Sequence, residues 1–304
     1  MREITISSEM DDLPLCLLIE EPEEPAKGIV QIVHGMAEYK ERYIDFLKYI
    51  ASKGYVAVIH DHRGHGKSIR NKEDLGYFYD NTATYIVEDV KQITLWIKEQ
   101  YPALPIIMLG HSMGSMVVRK YCQNYDAEID KLIVCGSPSK NEKAQIGYFL
   151  AKVIGGVKGE HYRSPFLQKK TFEASRKRRK EKDIPNAWLT RDKKIVEAFN
   201  QDPLCGFTFT INGFENIFRL NKEIYEKKNW NISHPNLPIL FIAGSDDPVI
   251  INKQEWQKSQ ELLRDIGYTN VKGKLYEGGR HELLNEINKK EVYEDIIQWI
   301  EREQ

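Results

Sequence analysis

Residues 105–121 constrain the fold of this chain more than any other stretch. Pro105-Ile106-Ile107-Met108-Leu109 is short, apolar and β-like, as a parallel strand buried on both faces should be. Gly110-His111-Ser112-Met113-Gly114 follows at once, and Ser115-Met116-Val117-Val118-Arg119-Lys120-Tyr121 reads as a helix. Strand, G-x-S-x-G and helix in succession describe a sharp elbow. Its glycines relieve crowding, and its serine hydroxyl is left standing at the top of a sheet.

The remaining sequence supplies that sheet. Apolar strand-like runs recur at 29–34, 55–60, 105–109, 132–135, 239–243 and 271–276, with helical stretches between them. Tyr43, Phe46, Leu47, Ile50 and Ala51 share one helical face, and Gly54 sits at a C-cap position. Ile86, Val90, Ile93 and Ile97 repeat the pattern, as do Val292, Ile296, Trp299 and Ile300. Such alternation predicts a mostly parallel, twisted sheet flanked by helices, an α/β fold. Ahead of it, Ile4 and Ile6 alternate with polar neighbours and a second run follows at 15–19. Met10-Asp11-Asp12 between them predicts an antiparallel hairpin on the sheet edge. The rhythm breaks between 137 and 230, where helical stretches and turn residues replace strands. The expected organisation is therefore a core of residues 1–136 and 231–304, with 137–230 a mainly helical cap inserted after the sixth strand. Such a cap would lie over the carboxyl edge of the sheet, where α/β proteins bind ligands.

A serine hydroxyl is a weak nucleophile near neutral pH and needs a base, normally a histidine held in the right tautomer by a carboxylate. On an elbow of this kind the partners should follow in the order Ser, Asp/Glu, His. Gly244-Ser245-Asp246-Asp247-Pro248 comes straight after the 239–243 run, which offers two acids at its carboxyl end. His281 follows the 271–276 run across Gly278-Gly279. Three strand ends thus converge on one edge. An oxyanion hole needs two backbone N–H groups: the residue after the serine, Met113, and one from the loop after the third strand. That loop reads His34-Gly35-Met36, which makes the Met36 amide the second candidate.

With these residues in place, the chain resembles the monoacylglycerol lipase and lysophospholipase branch of the α/β-hydrolases, grouped with the serine aminopeptidase-like hydrolases. The matching pieces are His34-Gly35-Met36-Ala37-Glu38 with Arg42-Tyr43, Asp61-His62-Arg63-Gly64-His65-Gly66-Lys67-Ser68, and Gly110-His111-Ser112-Met113-Gly114. Gly244-Ser245-Asp246-Asp247 and Tyr276-Glu277-Gly278-Gly279-Arg280-His281-Glu282 complete the set. The resemblance implies cofactor-free hydrolysis of carboxylic esters of lipid-like alcohols, with Ser112 as nucleophile and His281 as base. It also implies Asp247 as the acid, the fourth residue of a G-x-x-D pattern, with Asp246 as runner-up. A proline-type aminopeptidase and a short-chain carboxylesterase share core and triad and stay open. A dehalogenase or epoxide hydrolase would need aspartate at 112.

Other signals are weaker. His60, His62 and His65 are spaced closely enough to suggest zinc, yet no carboxylate or thiol is placed to complete a site. In the resembling family this turn supports the active site by hydrogen bonding. Gly66-Lys67-Ser68 ends like a phosphate-binding loop, but Asp61 stands where the first glycine belongs. Residues 168–182 hold eight Lys and Arg residues against Glu173 and Glu181, in a chain whose net charge is −1. This segment is read as a solvated helix face or as a cap surface that meets anionic phospholipid. The near-zero total argues against nucleic acid. Phe149, Leu150, Phe166, Leu167, Phe207, Phe209 and Phe214 make the cap rich in large apolar groups, some of them candidates to line an acyl channel, and Cys205 reads as a buried thiol. Met1-Arg2-Glu3-Ile4 lacks the apolar stretch of a signal peptide, and no window resembles a membrane span. Four scattered cysteines fit reduced thiols, so a cytoplasmic location is expected.

Overall fold

The computed structural model describes residues 1–141, 144–171 and 184–302. The strands are β1 (Arg2–Ser7), β2 (Pro14–Glu20), β3 (Gly28–Val33), β4 (Tyr55–His60), β5 (Ile106–His111), β6 (Lys131–Cys135), β7 (Ile239–Gly244) and β8 (Val271–Tyr276). They form one sheet in the order β1-β2-β4-β3-β5-β6-β7-β8. β3 to β8 run parallel, while β1 and β2 pair antiparallel at one edge, with Arg2 opposite Ile19 and Ser7 opposite Pro14.

Alternation along each central strand divides its side chains between two cores. Ile29, Val56, Val58, Ile106 and Met108 point to one face. That face is covered by α2 (Tyr85–Gln100), α3 (Met113–Tyr125) and α8 (Lys253–Asp265), through Ile93, Val117 and Leu263 among others. Val30, Ile32, Ala57, Ile107 and Leu109 point to the opposite face. There α1 (Ile44–Ser52) brings Phe46, Leu47 and Ile50, and α9 (Lys289–Arg302) brings Val292, Ile296 and Ile300. Both faces are sealed, which is why these strands read as continuous apolar runs rather than alternating ones.

Between β6 and β7 the described residues form α4 (Ala144–Lys158), α5 (Pro165–Thr171), α6 (Lys193–Gln201) and α7 (Ile211–Glu223). α6 is capped by Asp192, whose carboxylate accepts from the amides of Lys194 and Ile195. α7 is capped by Thr210, which accepts from Gly213 N–H. Phe209 and Phe214 are fully buried beneath them, whereas Phe149 on α4 is 65 % exposed. Of the basic segment, Lys169 and Lys170 close α5; Arg176, Lys177, Arg178, Arg179, Lys180 and Lys182 lie outside the described residues.

Candidate active site

The turn from β5 into α3 places Ser112 at φ 53° and ψ −116°. Two hydrogen bonds hold it: its N–H donates to Cys135 O on β6 (2.9 Å), and Ser115 N–H donates back to Ser112 O (3.0 Å). Gly114 lets α3 approach β3, since a Cβ there would stand 2.0 Å from Val33 O.

Ser112 Oγ–H donates to Nε2 of His281 (2.8 Å), whose Nδ1–H donates to Oδ2 of Asp247 (2.9 Å). Asp247 is buried, and its Oδ1 accepts from Val249 N–H (2.8 Å). Asp246, the neighbouring acid, is exposed and does not meet the imidazole. The three side chains come from the ends of β5, β7 and β8, so the loop carrying His281 must pass back over β7 and β6 to reach Ser112. Two glycines line its path. A Cβ on Gly136, which has φ +56°, would stand 3.3 Å from the His281 ring, and one on Gly244 would stand 2.0 Å from Gly279 O. On its outer side the ring packs against Trp188 at 5.0 Å between centroids.

Met113 opens α3, where the first amides lack intrahelical partners, and Met36 sits in the turn after β3. Among the described residues neither amide is paired with an acceptor. Both residues border, with Ser112 and His281, a cavity of about 1140 Å³. Its wall toward the α4–α7 region is apolar, with Met116, Leu150, Phe166, Leu167, Ile217 and Phe218. Leu150, Phe166, Leu167 and Phe207 thus reach the cavity, while Phe209 and Phe214 pack the core. Cys205 is buried against Leu189 and Phe199.

The loop after β3 is held by residues to which the sequence motifs assigned no task. Gly35 N–H donates to Glu38 Oε1 (2.6 Å), and Tyr43 O–H donates to the same oxygen (2.9 Å). Arg42 bridges Glu38 to Glu282, the latter through paired bonds of 2.8 and 2.6 Å. One guanidinium therefore ties the Met36 loop to the His281 loop. Burial alone would raise the Glu38 carboxyl, but Arg42 and His111 hold it well below the usual carboxylate range. Of the histidines in the 60–65 turn, only His65 supports this loop through its ring: its Nε2 accepts from Ala37 N–H (3.2 Å) and its Nδ1–H donates to Arg63 O (3.1 Å). His62 contributes its backbone N–H to His34 Nε2 (3.0 Å), and the rings of His60 and His62 have no hydrogen-bond partner among the described residues. Asp61, at the start of the same turn, accepts from Lys40 N–H (2.9 Å) in the segment after β3.

The segment 187–206 joins both loops from the other side. Gly206 N–H donates to Ala37 O (2.9 Å) and Tyr39 O–H to Asp202 (2.7 Å), while Glu282 N–H donates to Leu189 O (2.7 Å). Arg191 pairs with Glu286 (2.9 Å).

Comparison with known proteins agrees with this geometry. Residues 24–288 match the family described as serine aminopeptidase, S33. A monoacylglycerol lipase of Mycolicibacterium smegmatis is 26 % identical over 282 residues, covering 92 % of this chain and 90 % of the relative. The monoglyceride lipase of Homo sapiens is 23 % identical over 292 residues, with coverage of 92 % and 84 %. Among solved structures, a thermostable carboxyl esterase from Bacillus coagulans in complex with glycerol superposes with a TM-score of 0.90 at 28 % identity, covering 99 % of this chain and 97 % of that one. Elbow, strand order and matched span together identify the chain as a member of the serine aminopeptidase S33 family of α/β-hydrolases, on its monoacylglycerol-lipase-like branch.

Proposed function

We propose that this chain is a serine hydrolase that cleaves carboxylic esters of lipid-like alcohols, monoacylglycerols and lysophospholipids among them, through an acyl-enzyme on Ser112. The observation that carries this reading is the hydrogen-bonded line Ser112–His281–Asp247 at the floor of a large apolar cavity. His281 takes the Ser112 proton as the oxygen attacks the ester carbonyl, and Asp247 orients the ring and stabilises its cation. The amides of Met36 and Met113 hold the tetrahedral oxyanion. His281 then protonates the departing alcohol, and water, activated by the same base, releases the acid. In this reading residues 1–136 and 231–304 are the catalytic core and 137–230 a cap that supplies the acyl wall.

Two rivals share the triad. A peptidase would need a carboxylate for the substrate's free amine, yet Glu38 and Glu282, the carboxylates bordering the cavity among the described residues, are both engaged by Arg42. The likeness to a carboxyl esterase keeps a general carboxylesterase, acting on short-chain esters, as the second reading.

Among the described residues no helix is long and apolar enough to cross a membrane. Peripheral contact with an anionic surface is part of the proposal. It is supported by the basic run at 168–182 and by Ile146, Phe149, Val153 and Val157, which stand exposed along α4. Four buried, unpaired cysteines suit work in a reducing cytoplasm. Neutralising the basic run should weaken binding to anionic vesicles; unchanged binding removes this part.

The test is hydrolysis of p-nitrophenyl esters from two to sixteen carbons, beside a monoacylglycerol and a lysophospholipid, with Ser112→Ala as control. Serine-dependent turnover peaking on long chains supports the lipid reading, and a peak on short chains without lipid turnover supports the esterase. Full activity in Ser112→Ala overturns both.

A further inference from the structure

His111, the residue before Ser112, has a task that the proposed triad does not use. Its ring is buried, and both of its nitrogens face acceptors. Nε2 lies 3.3 Å from the backbone O of His281, and Nδ1 lies 3.3 Å from Glu38 Oε1 and 3.0 Å from the Tyr43 hydroxyl. A neutral imidazole carries one N–H and one lone pair, an imidazolium two N–H groups. If Tyr43 turned its proton to Nδ1, a lone pair on that nitrogen would still face the Glu38 carboxylate at 3.3 Å. With the Tyr43 proton on Glu38, its oxygen lone pair faces Nδ1, and only a second N–H on His111 satisfies the site. We infer that His111 is a doubly protonated cation in the resting enzyme and acts as a positioning residue, gripping the His281 carbonyl on one side and Glu38 on the other.

The charges around it agree. The loop after β3 and the turn that follows bring Glu38, Arg42 and Tyr43; the loop after β8 brings His281 and Glu282; β5 itself adds no other titratable side chain. With Asp247, this pocket floor carries three carboxylates against the single guanidinium of Arg42. A proton on His111 leaves one negative charge, beside the imidazolium that forms as His281 takes the Ser112 proton and the matching negative charge passes to the substrate oxyanion. Burial opposes the charge on His111, but Glu38 and, further off, Glu282 raise its pKa above the ordinary histidine value. The cation links the two loops that carry Met36 and His281, so it sets the distance between oxyanion donor and base. Its effect should therefore appear in turnover rather than in substrate binding.

The inference builds on the Ser112 mechanism, but its first test does not need activity. In ¹⁵N-histidine-labelled protein, with His111→Asn used to assign the signals, both His111 nitrogens should be protonated at pH 8. A bare, imine-type nitrogen at that pH overturns the proposal. In kinetics, His111→Gln keeps a donor for the His281 carbonyl but not the charge. Its kcat should fall by about 10- to 10²-fold, the scale of a small misplacement of reacting groups, with KM little changed. The alkaline decline of the parent enzyme's kcat/KM, as His111 loses its proton, should vanish in the variant. An identical alkaline limb in both proteins refutes the positioning role, whereas activity that survives Ser112→Ala refutes the underlying mechanism instead.

Discussion

Ser112 occupies a backbone region that costs a non-glycine residue about 1–3 kcal/mol, tolerated because β5, β6 and α3 fix it from three sides. Ser112→Ala and Ser112→Gly should both be inactive, yet they should differ in stability. Glycine relieves the strain but gives back about 0.5–1 kcal/mol through its freer unfolded chain. The glycine variant should still unfold at the higher urea concentration; equal midpoints would show that the turn is not strained. Asp247→Asn should cost about 10⁴ in turnover if the carboxylate fixes the His281 tautomer, with Asp246→Asn close to the parent. A mild loss in the first and a severe one in the second would reverse the assignment. The serine and histidine were legible in the sequence because their chemistry is local: a turn that only certain residues permit, and a base on a later strand end. The residues by themselves left Asp246 and Asp247 open and the family resemblance chose Asp247; in the fold, burial and the bond to His281 separate the two. Glu38, Arg42, His111 and Glu282 were also hidden, because their meeting depends on three segments far apart in sequence.

At the scale of elements, the seating of α3 against β3 is the critical contact. Gly114→Ala would drive a methyl into the Val33 carbonyl, and backbone cannot swing aside as a side chain can. Overpacking of this kind costs about 1–3 kcal/mol. The variant should lose most of its turnover together with thermal stability, and a fully active, equally stable protein would show that the helix can shift freely. The strands were readable as apolar runs, each within a residue or two of its observed ends. Which phenylalanines of the 137–230 region face the cavity was not, because α4 is apolar on more than one side. Phe149 and Leu150 are neighbours there, yet one points outward and the other into the cavity.

At the scale of the whole molecule, acid sensitivity follows from His34, His60, His62 and His65. Burial lowers each imidazole below its ordinary value of 6.5, His60 and His65 to about 3. The unfolded chain takes up these protons as pH falls below about 6.5, while the folded chain takes them up only at lower pH. Stability is therefore complete above that value and is lost as pH falls from it toward 3, each group steepening the decline by up to ~1.4 kcal/mol per pH unit. Melting temperature should drop sharply between pH 6.5 and 5. His60→Leu, which sacrifices no ring hydrogen bond among the described residues, should flatten the slope, and an unchanged slope would exonerate the cluster.

The glycine-lined path by which His281 returns to Ser112 also bears on how sequences of this kind can drift. Gly136 and Gly244 do not line the cavity and carry no reactive group, yet even a methyl at either would press on the base or on the loop that bears it. A saturating mutational survey should therefore find two silent-looking positions as intolerant as the triad itself. A lineage that replaced either glycine would have to re-route the histidine arm in the same step, so the path narrows the set of viable descendants as firmly as the chemistry does.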